Sequence, residues 1–191
     1  MAQERSRPPI QFGEMHTPGG YKNGEVASAL QKAIRRGNER EALFWASELD
    51  LAGYGNYVWK RLRIIASEDV GLADPEAVIA VRCLYENWLE AKKAKDESAL
   101  PLWLLHGVLV LVRAKKSGIV VHAWMAFYEG DRQAMGMEIP DHALDMHTGR
   151  GRRMGRGKKH FLDEAGLLKN ETLEDPYFAE GASAWLNEKS K

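Results

Sequence analysis

Cysteine occurs once in the 191 residues, at Cys83. Neither an intramolecular disulfide nor a cysteine-built zinc cage can form, and a reducing, cytoplasmic compartment is expected. Long apolar runs are also missing. The most apolar window, Leu100 to Val112, contains Pro101 and His106 and gives way to Arg113, Lys115 and Lys116. It falls short of the roughly 20 residues a spanning helix needs, so it reads as a buried core helix and no membrane partner is expected. The opening stretch Met-Ala-Gln-Glu-Arg-Ser-Arg-Pro-Pro lacks the apolar centre of a secretory signal. Residues 1–23, rich in Pro, Gly and polar groups, are expected to form a flexible tail.

Net charge is absent as well: Lys+Arg and Asp+Glu both number 27. That excludes a uniformly basic nucleic-acid coat, but the balance is not local. Arg150, Arg152, Arg153, Arg156, Lys158 and Lys159 put six basic groups and no acid into ten residues, leaving a net −6 on the other 181. The composition, 45% apolar and 28% charged, is that of a globular domain rather than a disordered or collagenous chain.

From Gly24 onward the apolar spacing is helical. Val26, Leu30, Ala33 and Ile34 share one face of a helix stopped by Gly37. Ala42, Leu43, Trp45, Ala46 and Leu49 repeat the pattern up to Gly53, and Tyr54, Val58, Leu62, Ile65 and Ala66 form a third stripe. Asp74-Pro75 reads as N-cap and first turn of a fourth helix, with Val78, Val81, Leu84, Tyr85, Trp88 and Leu89 inward. Ser98 is expected to cap the helix 99–114. After a turn at Lys115–Gly118, Val121, Trp124, Met125 and Tyr128 mark one more. Alternation with period two is confined to Ile119–His122, too short for a strand. The expectation is an all-α helical bundle over 24–136. A C-terminal extension over 137–191 is expected to pack on the same domain, with a turn at Pro140-Asp141, a Gly/Arg-rich loop at 149–159 and short helices near 160–168 and 176–186.

Two readings of the 149–159 loop stand side by side. Its glycines permit close backbone approach, and Arg150, Arg152, Arg153, Arg156, Lys158 and Lys159 suit contact with nucleic-acid phosphates. Equally, the same arginines can pair with the acidic remainder of the chain or a second subunit. The loop is not a nucleotide cradle. Gly157-Lys158 is followed by Lys159 where Ser or Thr is needed, Arg152 stands where the first glycine belongs, and Met154 breaks the alternative Gly-x-Gly-x-x-Gly spacing. His142, Asp145, His147 and His160 are potential metal ligands, with local capping and packing as the competing account. Ser67-Glu68-Asp69, beside Arg61 and Arg63, reads as a buried salt bridge or a cap for the next helix. No catalytic motif is visible, and no cofactor, metal or enzymatic activity is expected.

Residues 28–37 (Ser-Ala-Leu-Gln-Lys-Ala-Ile-Arg-Arg-Gly), 41–49 (Glu-Ala-Leu-Phe-Trp-Ala-Ser-Glu-Leu) and 61–75 (Arg-Leu-Arg-Ile-Ile-Ala-Ser-Glu-Asp-Val-Gly-Leu-Ala-Asp-Pro) resemble the C-terminal region of the MgsA/RarA replication-associated AAA+ ATPases. The turn at 113–118 and the segment 140–145 are similar to the family's Ala-Pro-Lys-Ser-Asn and Pro-x-His-Leu-x-Asp motifs. The resemblance covers about residues 21–160 and implies a clamp-loader-like helical oligomerisation domain, tetrameric in the family, acting at stalled or damaged replication forks. The family's ATPase module is not expected in the 23 residues before Gly24, so its nucleotide chemistry does not carry over. The expected function is a non-catalytic, self-associating accessory role in DNA replication or repair. The alternatives are a nucleic-acid-binding module acting through 149–159, or the non-ATPase subunit of a split machine whose ATPase is encoded separately. Expected partners are further copies of the chain, DNA, and replication proteins or such an ATPase.

Overall fold

Each amphipathic stripe becomes a helix in the computed structural model, which describes residues 11–131, 136–169 and 171–187. Among the described residues every regular element is helical, save one isolated antiparallel bridge between His16 and Lys22. Two compact units result, Met1–Asp131 and Arg132–Lys191. The sequence reading puts that boundary at 136/137.

The first unit holds α1 (Asn23–Arg35), α2 (Glu39–Leu51), α3 (Gly55–Ile65), α4 (Pro75–Ala94), α5 (Leu100–Arg113) and α6 (Ile119–Trp124). Its core is assembled from the predicted faces: Val26, Leu30 and Ile34 of α1, Ala42, Ala46 and Leu49 of α2, Val58, Leu62 and Ile65 of α3, joined by Trp59, which the third stripe does not include. Val81, Leu84 and Trp88 of α4 and Leu104, Val108 and Leu111 of α5 close it. Trp59 is fully buried, and it fits because Gly107 faces it; a Cβ there would sit 2.8 Å from the indole ring. Truncating such a residue costs about 3–5 kcal/mol.

Helix ends follow local chemistry. The Asp74 carboxylate accepts from the Ala77 N–H at 3.1 Å and Pro75 opens α4, as the sequence indicates. Gly37 terminates α1 at φ +73°, with the Asn38 N–H returning to the Ala33 carbonyl at 2.8 Å, the left-handed closure that glycine favours. At the end of α4 the same closure falls on Lys95, φ 61°. Ser98 does not cap α5: its hydroxyl donates to Asp96 at 2.7 Å, and Ala99 occupies the N-cap position. The Asp96 carboxylate is simply the nearer acceptor.

Residues 1–10 of the expected tail lie outside the described residues. Residues 11–22 are strapped down, contrary to the flexible-tail expectation. Phe12 packs on Tyr54 and Tyr57, with ring centroids 4.9 and 4.3 Å away. Lys22 pairs with Glu14 at 2.8 Å, and the Gly19 N–H donates to Glu48 of α2. These ring contacts, the ion pair and the hydrogen bond together counter part of the entropy cost of ordering the segment.

The second unit contains α7 (Gly149–Arg153), α8 (Lys158–His160), a wider helical turn at Phe161–Ala165, and α9 (Phe178–Asn187). A 3-10 turn, Asp141–Ala143, follows Pro140 as expected. Leu144 is buried, and Phe161 meets Trp185 edge-on at 5.6 Å.

Candidate functional site

The basic segment is only partly a loop. Thr148 accepts from the Gly151 N–H at 2.9 Å and starts α7, so the first half of the expected loop is helical. Gly151 is buried against the backbone of Leu144 and Asp145, and an added Cβ would lie 2.6 Å from the Leu144 carbonyl oxygen. Gly155 then turns the chain at φ +75°. These two glycines therefore serve close packing and reversal, not approach to a ligand.

Four of the six candidate cations act within the unit. Arg156, with a side chain only 14% exposed, donates to the carbonyls of Asp141 (2.6 Å) and Leu144 (2.9 Å) and pairs with the Asp141 carboxylate. That guanidinium holds the Asp141 carboxyl below its usual range. Arg152 donates to the Met146 and His147 carbonyls at 3.2 and 3.1 Å. Lys158 donates to the Trp185 carbonyl at 2.6 Å and lies over its ring. Lys159 pairs with Asp163, which raises the lysine's pKa. Arg150 and Arg153 remain: both are exposed, and neither has an acidic partner among the described residues. At i and i+3 on α7 they lie on one side of the helix, two guanidinium groups a turn apart and able to grip adjacent anionic oxygens.

The four potential metal ligands named from sequence are not gathered. His147 Nδ1 lies 2.9 Å from Asp145 Oδ2, a local contact that lowers the Asp145 pKa. A different trio, Asp141, His160 and Glu164, has ligand atoms within 4.8 Å of one another, but the Arg156 cation already sits on Asp141. A second cation there is electrostatically disfavoured.

Sequence reasoning missed a second feature. Val120, Val121 and Trp124 of α6 line a groove of about 1140 Å³ with α3 and α4. Beyond it, Ile119, Met125, Phe127 and Tyr128 are exposed, Tyr128 by 71%. The signal was in the composition: residues 119–128 (Ile-Val-Val-His-Ala-Trp-Met-Ala-Phe-Tyr) are apolar nearly all round, and such a helix belongs to an interior. Among the described residues most of it stays exposed, with Val121 partly covered.

α6 is fixed to the core by a polar network. The buried Asp69 carboxylate accepts from Arg35 Nε at 2.8 Å and Gln31 Nε2 at 3.2 Å. Its main-chain carbonyl accepts from the Ser117 N–H at 2.9 Å, just before α6. Lys116 donates to the carbonyls of Leu111, Val112 and Ala114, closing α5; burial lowers its pKa. The expected salt bridge at Ser67-Glu68-Asp69 thus exists, but with Arg35 rather than Arg61 or Arg63. Arg61 instead donates to Gln31, and Arg63 lies over the Tyr85 ring.

Among the described residues this is an all-α helical domain with a buried polar network and an exposed apolar helix, and its sequence holds no nucleotide cradle. The family model described as MgsA AAA+ ATPase C terminal matches residues 38–184, and the chain belongs to that family. It is 30% identical over 137 residues to replication-associated recombination protein A of Escherichia coli K12, covering 71% of this chain and 30% of that protein. Against the protein of the same name from Bacillus subtilis 168 the identity is 30% over 165 residues, 84% of this chain and 38% of the relative. The Haemophilus influenzae counterpart is 28% identical over 137 residues, 71% and 30% of the two chains. The chain thus spans about a third of the length of these relatives, and the match falls on the C-terminal helical region. No helix among the described residues is long and apolar enough to cross a membrane.

Proposed function

We propose that this chain is a non-catalytic assembly domain that self-associates through α6 and serves DNA replication or repair. The uncovered apolar face of Ile119, Trp124, Met125, Phe127 and Tyr128 is the observation that carries the reading. Contiguous exposed apolar surface of this kind is characteristic of interaction sites. The process is supported by the relatives, whose name places them in replication-associated recombination. The non-catalytic part is supported by the missing nucleotide-binding motifs within these 191 residues. Multi-angle light scattering at micromolar concentration is the test. A mass that is a multiple of 21.5 kDa and falls to the monomer in Trp124→Glu/Phe127→Glu is expected; a strict monomer overturns the reading.

A second reading, contact with nucleic-acid phosphates, is favoured by the exposed pair Arg150 and Arg153, which have no acidic partner among the described residues. Binding through two phosphates gives a salt slope of about −1.8 on a log–log plot for duplex DNA. Arg150→Ala/Arg153→Ala should abolish that slope while leaving the thermal midpoint unchanged. Absence of low-salt binding to duplex or single-stranded DNA refutes it.

A further inference from the structure

We propose that the groove between α3, α4 and α6 holds residues 171–178 of a second copy of this chain. The proposal rests on the self-association reading and names what one copy inserts into the other. The floor of the groove is apolar, formed by Ile64, Val81, Leu89 and Trp124. Its rim is not neutral. Arg82 and Glu86 neutralise each other at 2.9 Å, and Glu68 is answered by Arg35 at 3.3 Å. Lys60 and Arg63 are exposed and have no carboxylate partner among the described residues; Arg63 lies over the Tyr85 ring, 4.8 Å from its centre. The groove therefore selects for a segment that brings bulky apolar side chains together with negative charge.

The chain contains such a segment. Residues 171–178 read Glu-Thr-Leu-Glu-Asp-Pro-Tyr-Phe, with three carboxylates in the first five positions. Leu173 is 83% exposed, Tyr177 75%, and Phe178 is exposed as well, although these residue types are costly to leave in water. Asp175 accepts from the Tyr177 N–H at 2.9 Å, a local turn around Pro176 that keeps the segment out of helix before α9. Glu171 and Glu174 have no cationic partner among the described residues. Charge and apolar content of segment and groove are thus complementary. The groove is also continuous with the apolar face of α6, because Val120 and Trp124 line it. At about 1140 Å³ it exceeds the usual range of small-molecule pockets, roughly 300–1000 Å³, and suits a peptide.

The test uses the full chain and one defined probe. Glu171→Lys/Glu174→Lys serves as receptor, since its own segment no longer competes, and a fluorescein-labelled peptide of residues 171–178 serves as ligand. Saturable anisotropy is expected, weakened by about tenfold or more when Lys60→Glu/Arg63→Glu is added to the receptor. A scrambled peptide of the same composition should bind poorly. In parallel, light scattering is run on Glu171→Lys/Glu174→Lys and on Lys60→Glu/Arg63→Glu, each alone and mixed in equal amounts. Each alone should assemble less than the parent, and the mixture should regain assembly through two complementary pairings, the native positive groove with the acidic segment and its charge-reversed counterpart. All substituted positions are exposed, and circular dichroism verifies that the variants fold. The proposal is overturned if the peptide does not bind, if its scrambled form binds equally, or if charge reversal leaves assembly unchanged. A carbodiimide crosslink between Lys60 and Glu174 found within single chains, and not between isotope-labelled and unlabelled copies, overturns the second copy as occupant. A parent chain that is monomeric while the peptide still binds removes the self-association reading and, with it, the second copy. A parent that assembles independently of the charge reversals removes the groove proposal alone.

Discussion

Replacing Asp69 by alanine removes the acceptor at the centre of the network beneath α6. The carboxylate is 5% exposed and takes two hydrogen bonds, from Arg35 Nε at 2.8 Å and Gln31 Nε2 at 3.2 Å. A hydrogen bond to a charged group contributes about 1.5–3 kcal/mol. Arg35 is 48% exposed, so solvent screening puts its bond at or below the bottom of that range. The neutral donor on Gln31 adds about 1 kcal/mol, and its amide, left buried without an acceptor, roughly 1 kcal/mol more. The expected loss is about 3 kcal/mol. For a unit of this size that lowers the thermal midpoint by roughly 10 °C. Urea denaturation followed by circular dichroism measures it, with Asp69→Asn, which keeps the shape and one acceptor, losing about half as much. A double-mutant cycle with Arg35→Ala isolates the pair and should return a coupling of about 1 kcal/mol. Because the Asp69 main chain also receives the Ser117 N–H, hydrogen exchange over residues 119–129 should rise in Asp69→Ala before global unfolding. A loss under about 1 kcal/mol, or a coupling of zero, refutes the argument.

Three further outcomes follow from the geometry. Gly151→Ala places a Cβ against the Leu144 and Asp145 carbonyls and should destabilise the second unit by about 1–3 kcal/mol, read as reduced near-ultraviolet ellipticity from Trp185 at lower temperature. Lys95→Gly relieves a left-handed lysine and should stabilise the first unit by about 0.5–1 kcal/mol in urea titration. Burial raises the Asp50 pKa, so the folded state binds more protons than the unfolded state between the ordinary and raised values, and stability falls as pH rises through that window. Asp50→Asn should therefore raise the midpoint at pH 7 and give no gain below the ordinary aspartate pKa near 3.8; equal gains at both pH values exclude burial as the cause.

The helices were legible because burial and period coincide. Leu30, Ile34, Leu62 and Trp88 lie inward where their spacing puts them. Local end signals were legible only where a single acceptor competes: Asp74 caps as read, whereas Ser98 finds the Asp96 side chain first. The partner of Asp69 was not legible, because Arg61 and Arg63 are nearer along the chain while Arg35 is nearer in space. The strapping of residues 11–22 depends on Phe12 meeting two tyrosines more than 40 positions away, and no local pattern announces that. Val121, Trp124, Met125 and Tyr128 were legible as marking one more helix, but not which of them would be covered. Only the packed structure separates Val121, which is partly covered, from the other three, which are exposed.

The basic segment shows why a local charge count overstates what a partner can use. Six cations in ten residues suggest a strong polyanion site, but availability depends on where each guanidinium or ammonium group already donates. Arg156 is committed to three oxygens, and Arg152, Lys158 and Lys159 each have intramolecular acceptors. Breaking those bonds to reach a phosphate exchanges one charge-assisted contact for another, with little net gain. Of these six, Arg150 and Arg153 alone have no acidic partner to give up among the described residues. A two-cation contact is weak and salt-sensitive by itself, so it becomes effective when several copies present it together, raising the effective concentration of each pair. The proposed self-association through α6 and the proposed phosphate contact through α7 are therefore not rival readings: the first would strengthen the second.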